Sequence, residues 1–407
     1  MMAVWPRSRI EDAAETVAMG PFGSSIKVST FVPDGVPIIS GQHLKGSRVD
    51  DSPGHNFITE EHAERLRKAK VHPGDVILTH AGNIGQVAYI PESAAYDTYV
   101  ISQRQFFVRC NQDILLPEFL TYYLHSPEGH HALMANAVQT GVPSIAQPVT
   151  YVRSIEVPLP PLSVQRAIVD MLGALDDKID SNRRTSRLLE AFVLAAFSQA
   201  FSVDATESGV PVSQLLDVNP RRSLAKGEVA TYLGMSDLPT DAAMIETWGS
   251  RSFGSGQRFI NGDVLMARIT PCLENGKTAV VDMLQQDEVG WGSTEFIVLS
   301  PKGALSTPWV YCLARSAPVR AYAIRSMTGT SGRQRFNADA FSHYRIANPD
   351  ATEVEEFNKF AVPSFRKMGQ LRDENARLMA LRDTLLPGLL TGQLSLEGSA
   401  GVSEVLR

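Results

Sequence analysis

The sequence predicts an α+β protein in which two similar mixed α/β domains are separated by two long helices that form an antiparallel coiled coil. Two observations support this prediction: the chain contains an internal repeat, and each copy of the repeat closes with a long amphipathic segment. We therefore expect a pseudo-twofold relationship between the halves. The predicted boundaries are 1–157 for the first domain, 158–203 for the central helix, 204–348 for the second domain, and 349–407 for the C-terminal helix and tail.

The repeat is visible when the chain is compared with itself. PGDVILTHAGNIGQVAYI aligns with NGDVLMARITPCLENGKTAVV, which places Gly74 and Gly262 188 residues apart. QTGVPSI and MTGTSGR place Gly141 and Gly329 at the same separation, and LPEFLTYYLHS aligns with TPWVYCLARS between them. Because these matches keep their order over a long span, they indicate a duplication.

Each domain is predicted to contain short strands and short helices. The apolar, β-branched segments VPIIS, DVILTH and QFFVRC in the first half, and DVLMAR and EFIVLS in the second, are bounded by Gly, Pro, Asn and Asp. This pattern is typical of short strands that are joined by turns. Between the strands, PEFLTYYLH predicts a short helix.

The two long segments have the spacing of a coiled-coil seam. Seam positions, most of them apolar, recur in alternating steps of four and three at Ile168, Leu172, Leu175, Ile179, Asn182, Ser186, Leu189, Val193 and Ala196, and again at Val354, Phe357, Ala361, Ser364, Met368, Leu371, Asn375, Leu378, Arg382 and Leu385. Asn182 and Asn375 interrupt the seams as polar residues of the kind that fix register. The alternative is two separate helices, each packed on its own domain. A helix of roughly 35 residues would be about 50 Å long, which is more than a small domain needs.

Composition limits the possible functions. The chain has 407 residues, 43% of them hydrophobic and 20% charged, which suits two or three globular domains. Its net charge of −6 excludes a nucleic-acid binder that is strongly basic over its whole surface. Any contact with nucleic acid must therefore be local or shared with a partner. Cys110, Cys272 and Cys312 have no metal-site spacing and are predicted to be buried free thiols, so we expect no metal and no cofactor. With no signal peptide or membrane-length apolar run, the sequence predicts a soluble cytoplasmic protein.

Several of these segments resemble a known family. PLPPLSVQRAIVDMLGALDDKI and LRDTLLPGLLTGQL are similar to the two spacer regions of the specificity subunit of type I restriction-modification enzymes. GPFGSSIK and GDVILTHAGNIGQVAYIP resemble the target-recognition domains of that family. The resemblance covers nearly the whole chain; one departure is Val164, where the family commonly has an acidic residue.

The resemblance implies a function and a set of partners. It implies two target-recognition domains that read double-stranded DNA in two parts, together with methyltransferase subunits and restriction or translocase subunits as partners. Four apolar residues outside the seam of the first long helix are candidates for docking those subunits or for packing against the chain's own domains: Phe192, Leu194, Phe197 and Phe201.

No catalytic motif is complete in this chain. Gly276-Lys277-Thr278 ends like a phosphate-binding loop, but Pro271 stands where the first glycine of that motif belongs. No Asn-Pro-Pro-aromatic segment that could hold an extruded adenine is present. We therefore predict a non-catalytic binding module. A self-contained enzyme such as a fused methyltransferase and a scaffold that binds proteins remain as alternatives.

Candidate DNA contacts are polar and basic residues in glycine-rich turn segments. Arg and Lys match guanine, Asn and Gln match adenine, and Ser, Thr and Lys contact phosphates. For each residue alone, solvated surface is the alternative, and the Arg333–Arg335 cluster is the leading candidate. The candidates are Ser24, Ser25, Lys27, Gln42, His43, Lys45, Asn83, Gln86, Gln103 and Arg104 in the first domain, and Arg251, Arg258, Arg268, Asn275, Lys277, Arg333, Gln334 and Arg335 in the second.

Overall fold

Two units of matching topology make up the fold in the computed structural model, which describes residues 5–23, 25–52, 54–138, 141–330 and 332–394. The first unit joins the chain up to Lys178 with the chain from Leu378 onward, and the second is Ile179–Arg377. Two long helices, α6 (Leu162–Ala200) and α11 (Ala351–Leu390), contribute residues to both units.

The remaining elements of the first unit alternate strands with short helices. Its helices are α1 (Ile10–Ala13), α2 (Glu60–Arg65), α3 (Pro117–His125), α4 (Pro127–Met134) and α5 (Pro148–Ser154). Its strands are β1 (Arg7–Arg9), β2 (Ala14–Met19), β3 (Val36–Ile39), β4 (Phe57–Ile58), β5 (Lys70–Val71), β6 (Asp75–Thr79), β7 (Val87–Tyr89), β8 (Tyr99–Ile101), β9 (Gln105–Cys110), β10 (Ala137–Val138), β11 (Ser144–Ile145) and β12 (Glu156–Pro158).

The second unit has a corresponding set. Its helices are α7 (Val212–Leu215), α8 (Thr307–Arg315), α9 (Ala317–Arg325) and α10 (Ala338–Ser342). Its strands are β13 (Val210–Pro211), β14 (Leu216–Val218), β15 (Val229–Leu233), β16 (Gly249–Ser252), β17 (Gln257–Phe259), β18 (Val264–Ala267), β19 (Thr278–Val280), β20 (Gly290–Gly292), β21 (Phe296–Pro301) and β22 (Arg345–Ile346). The strands that the sequence predicted from its five apolar segments are β3, β6, β9, β18 and β21.

Sheet topology confirms the duplication. One four-stranded sheet has the order β2-β9-β6-β7 in the first unit and β14-β21-β18-β19 in the second, with every neighbouring pair antiparallel. The other has the order β4-β3-β8-β5 and β16-β15-β20-β17, with a single parallel pair at its centre in both units. Matching orders and matching strand directions at matching sequence positions are the expected product of an internal repeat.

The first of these sheets lies between two cores. Val76 and Leu78 of β6 pack toward α3 and the long helices, while Ile77 between them packs against the second sheet. Because side chains alternate between the faces of a strand, a strand buried on both faces is apolar throughout. Leu265 of β18 faces the second sheet in the same way, and Val264 and Met266 face the helices. This layering explains why DVILT and VLMA read as continuous apolar segments.

The repeated Gly-Asp pair forms the turn that leads into this central strand. Gly74 and Gly262 have φ values of 88° and 91°, in the left-handed region that glycine enters without steric cost. The following carboxylates close the turn, because Asp75 accepts from the His72 amide at 2.9 Å and Asp263 accepts from the Ile260 amide at 2.9 Å. The same backbone geometry therefore fixes the start of the central strand in both units.

The long helices pair antiparallel within each unit. In the second unit, Asn182 of α6 donates to Asn375 of α11 at 2.9 Å, and Phe197 further along α6 makes an edge-to-face contact with Phe357, earlier in α11. In the first unit, Asp176 accepts from Arg382 at 2.9 Å. The predicted seam residues Ile168, Leu172, Ile179, Val193, Val354, Phe357, Ala361, Met368 and Leu371 are all buried. The two asparagines are buried together in the seam, as predicted for residues that fix register.

The start of α6 is held by a buried glutamine. Gln165 is fully buried, and its carbonyl accepts from the Leu116 amide at 2.9 Å. Its amide nitrogen donates to the carbonyls of Ile114 and Pro160, both at 2.9 Å. These bonds fix the first turn of α6 to the segment that precedes α3.

Two of the four proposed docking residues belong to the core of the second unit. Phe197 is 1% exposed and Phe201 7% exposed, and both contact Trp309. Leu194 packs against the same core, while Phe192 is 58% exposed. The sequence pattern cannot separate these roles, because a helix that packs against a domain has an apolar face beyond the coiled-coil seam.

None of the helices in the described ranges is long and apolar enough to cross a membrane. Cys110 and Cys312 are buried free thiols, as predicted, and Cys272 is partly exposed.

Candidate nucleic-acid interface

In the first unit, the segments that contain the candidate residues lie next to strand ends at the same edge of the two sheets. This edge, here called edge 1, is formed by the ends of β2, β3, β6 and β8 and the start of β9. Backbone bonds join the segments: the Gly20 amide donates to Gln105, the His80 amide to Arg104 and the Ser102 amide to Ile39, each at 2.9 Å. The topology therefore brings together residues that are far apart in sequence.

Several candidates in the first unit are exposed. Lys27, Lys45, Asn83 and Arg104 are exposed, and their side chains have no hydrogen bond or ion pair among the described residues. The Arg104 guanidinium lies beside Gly82, whose φ of 85° lets the backbone turn close to it. These side chains are free to donate to a ligand at the surface.

Other candidates have structural roles in edge 1. The Gln86 amide donates to the Gly41 carbonyl at 3.0 Å, and the Gln103 amide donates to the Ile26 carbonyl at 3.3 Å, so both hold neighbouring segments. Ser25 donates to the Phe22 carbonyl at 2.8 Å, and Gln42 is exposed. Ser24 lies outside the described residues.

His43 differs from the other candidates because it is only 1% exposed. It stacks on His55 with ring centroids 4.2 Å apart, and its Nδ1 accepts from the Ser40 amide at 2.9 Å. Burial lowers the pKa of His43 below its usual value, which favours the neutral ring. Its side chain packs inside the unit, so His43 is not part of a DNA-contacting surface.

The equivalent edge of the second unit, here called edge 2, collects most of the basic candidates. Arg268 follows β18, Glu295 precedes β21, and Arg335 lies on a segment that bridges to Ile269 and Thr328. Arg335 donates through Nε and Nη2 to the Glu295 carboxylate at 2.7–3.0 Å. These hydrogen bonds hold the pKa of the Glu295 carboxyl below its usual value. Arg268 Nε is 3.8 Å from the same carboxylate.

The remaining candidates of the second unit lie around edge 2 or on the adjacent sheet. Arg333 is exposed, and its side chain has no hydrogen bond or ion pair among the described residues; Asn275 is also exposed and Gln334 is half-buried. Lys277 donates to the Met235 carbonyl at 2.7 Å. The segment that ends at Lys277 connects the antiparallel strands β18 and β19, whereas a phosphate-binding loop connects a strand to a helix, so this segment is not a phosphate-binding loop. Arg251 and Arg258 stack on Tyr232 and Phe253, on the sheet that contains β15.

Three positions are structurally equivalent at the two edges but carry different side chains. The His80 amide donates to the Arg104 carbonyl as the Arg268 amide donates to Glu295, so His80 corresponds to Arg268 and Arg104 to Glu295. The bridge between Ala81 and Ser144 likewise corresponds to the bridge between Ile269 and Arg335. Sequence reasoning missed Glu295 and Ser144. The alignment of the two repeats was the sequence signal that could have pointed to them, because in it Glu295 directly precedes the apolar segment of β21.

Comparison with known proteins shows what this chain is similar to. Residues 23–191 match the type I restriction modification DNA specificity domain. The resemblance that the sequence analysis stated is thereby confirmed. The chain is 22% identical, over 86% of its length and 91% of the relative's, to the HindI type I restriction enzyme specificity subunit of Haemophilus influenzae.

Two further similarities are consistent with this assignment. Over 172 residues, 40% of this chain and 28% of the relative, the chain is 29% identical to the EcoEI type I restriction enzyme specificity subunit of Escherichia coli. The crystal structure of a type I restriction-modification system S subunit from M. genitalium matches 95% of this chain and 96% of its own, with a TM-score of 0.55 and 15% identity. At that identity the match concerns the fold.

Proposed function

We propose that this chain is the non-catalytic specificity subunit of a type I restriction-modification complex, and that each unit reads one half of a bipartite DNA site. The observation that carries this proposal is the pair of equivalent edges, which present different side chains on the same scaffold. A duplicated scaffold gives two reading surfaces, and different side chains give them different base preferences. The relatives to which the chain is similar are specificity subunits, which supports the same assignment.

The partners proposed for the complex are those that the similarity to specificity subunits implies, and the charge of the chain is consistent with them. We propose that methyltransferase subunits supply the chemistry on the DNA, and that restriction or translocase subunits join them in the cytoplasm. The net charge of −6 gives this chain little overall attraction for a polyanion, so neighbouring subunits would supply the further basic contacts to the DNA phosphates.

We further propose that the paired helices set the gap between the half-sites. The antiparallel pairing seen in each unit and the buried Asn182–Asn375 contact support this proposal, because a coiled coil with a specified register has a defined length.

The test is selection of binding sites from a randomised duplex library by the full chain copurified with methyltransferase subunits. We expect two short blocks of fixed sequence that are separated by a gap of constant length. A single continuous block would contradict bipartite reading, and an absence of any enriched sequence would favour a protein-binding scaffold.

The same library tests the gap. Seven residues inserted after Asn182 and seven before Asn375 keep the seam in register and lengthen each helix by about 10 Å. This corresponds to about three base pairs of B-DNA. The gap should lengthen while both blocks stay the same. A folded, assembled variant that still selects the original gap would show that the helices do not set it.

A further inference from the structure

Arg335 has the most extensively hydrogen-bonded side chain among the basic candidates of edge 2. Its amide donates to the Thr328 carbonyl at 2.8 Å, and its carbonyl accepts from the Thr328 amide at 3.0 Å. On the other side, the Thr270 amide donates to the Gln334 carbonyl at 3.1 Å, and the Phe336 amide donates to the Arg268 carbonyl at 2.8 Å. The backbone on both sides of Arg335 is therefore fixed between two neighbouring segments.

The Glu295 carboxylate then fixes the orientation of the Arg335 side chain. It accepts from Nε and from one hydrogen of Nη2, at 2.7–3.0 Å. A guanidinium has five N–H donors. The three that remain belong to Nη1 and to the outer side of Nη2, and two of them point in parallel away from Glu295. The Arg335 side chain is 42% exposed, and these remaining donors have no hydrogen-bond partner among the described residues.

We infer that Arg335 is a specificity-determining residue that donates both outward N–H groups to the O6 and N7 atoms of one guanine, with Glu295 as its positioning residue. This inference rests on the proposed function. Bidentate donation to O6 and N7 is the arrangement by which arginine distinguishes guanine from the other bases in the major groove.

Two phosphate oxygens could accept the same pair of donors, but the local charge favours the base. Glu295 accepts hydrogen bonds from Arg335 at 2.7–3.0 Å, whereas Arg268 is 3.8 Å away, so its charge mainly offsets that of Arg335; this weakens the attraction of Arg335 for a phosphate and leaves its directional hydrogen bonds intact. Arg333, two residues away, has the opposite properties: it is exposed and has no carboxylate partner among the described residues. Phosphate contacts set position on the duplex without reading sequence, and Arg333 suits that role.

The experiment uses the full chain with its methyltransferase subunits and the bipartite site obtained by selection. Duplexes with each base replaced in the half-site read by the second unit are titrated by fluorescence polarisation at several salt concentrations. The wild type should prefer guanine at one position by about tenfold to a hundredfold, the usual discrimination of a bidentate contact. Arg335→Ala should remove that preference and leave the other positions and the salt dependence nearly unchanged.

Three variants separate base reading from phosphate binding and from folding. Arg333→Ala should weaken binding to every duplex and lower the slope of log affinity against log salt by about one unit. Arg335→Lys keeps the charge without the planar fork, so it should lose the guanine preference even if the alanine variant does not fold. Glu295→Gln should weaken the guanine preference severalfold and steepen the salt dependence, because Arg335 regains its unpaired charge.

The inference is overturned if folded Arg335→Ala or Arg335→Lys keeps every base preference, or if Arg335→Ala weakens all duplexes equally and lowers the salt slope by one unit. Wild-type protein that selects no sequence would instead contradict the proposed function, so the two failures are distinguishable.

Discussion

The two edges place different chemistry on the same backbone positions. Edge 1 presents His80, Arg104 and Ser144, whereas edge 2 presents Arg268, Glu295 and Arg335 at the equivalent places. Arg104 is exposed without a carboxylate partner among the described residues, while Arg335 is paired with one. The two copies of the repeat therefore share strand order and turn geometry, while the charge and length of the side chains at their edges differ.

A buried carboxylate of α6 is hydrogen-bonded in both units, and the second unit adds aromatic packing. In the first unit, Asp176 accepts hydrogen bonds from Tyr122 at 2.8 Å and Ser47 at 2.6 Å, in addition to its ion pair with Arg382. In the second unit, Glu190 of α6 likewise accepts hydrogen bonds from Tyr311 at 2.6 Å and from the Ala243 amide at 3.1 Å, and Phe197 adds aromatic packing against Trp309 and Phe357. A buried polar network specifies geometry, whereas aromatic packing contributes more to stability.

The largest effect is expected where the aromatic packing is removed. Phe197→Ala should lower the free energy of unfolding by about 4 kcal/mol, because it leaves a cavity in the core of the second unit. Phe192→Ala, on the same helix but exposed, should change it by less than about 1 kcal/mol. Urea denaturation followed by circular dichroism measures both. Equal effects of the two substitutions would mean that Phe197 does not anchor α6.

A smaller effect is expected from the unpaired arginine of edge 1. Arg104→Ala should weaken binding to all duplexes and reduce the salt slope by about one unit, because an arginine without a carboxylate partner is suited to a phosphate. Arg166→Ala removes the same charge from an exposed position on α6 and should leave the slope unchanged. Polarisation titrations over a range of salt concentrations compare the two variants, and a loss confined to one base position would instead assign base reading to Arg104.

Sequence reasoning predicted the parts of the fold that depend on local pattern. The strands follow from short apolar segments bounded by turn residues, the repeat from the alignment of the chain with itself, and the two seams from alternating steps of three and four residues. Asn182 and Asn375 were recognisable because they interrupt an apolar seam. The contact between Glu295 and Arg335 was not predictable in this way, since it joins residues 40 positions apart. His43 was placed on the surface because its turn sequence is polar, and its stacking on His55 depends on tertiary packing. Glu295 was overlooked because only residues that donate to bases or phosphates were considered.

The central claim is that each unit reads its own half-site. Its most direct test is to replace residues 1–157, the predicted first domain, with the equivalent domain of a relative that has a different target, and to select binding sites again from the randomised library. The account predicts that one block of the bipartite site changes, while the other block, including the guanine assigned to Arg335, stays the same. A chimera that folds and assembles but changes both blocks, or neither, would contradict it.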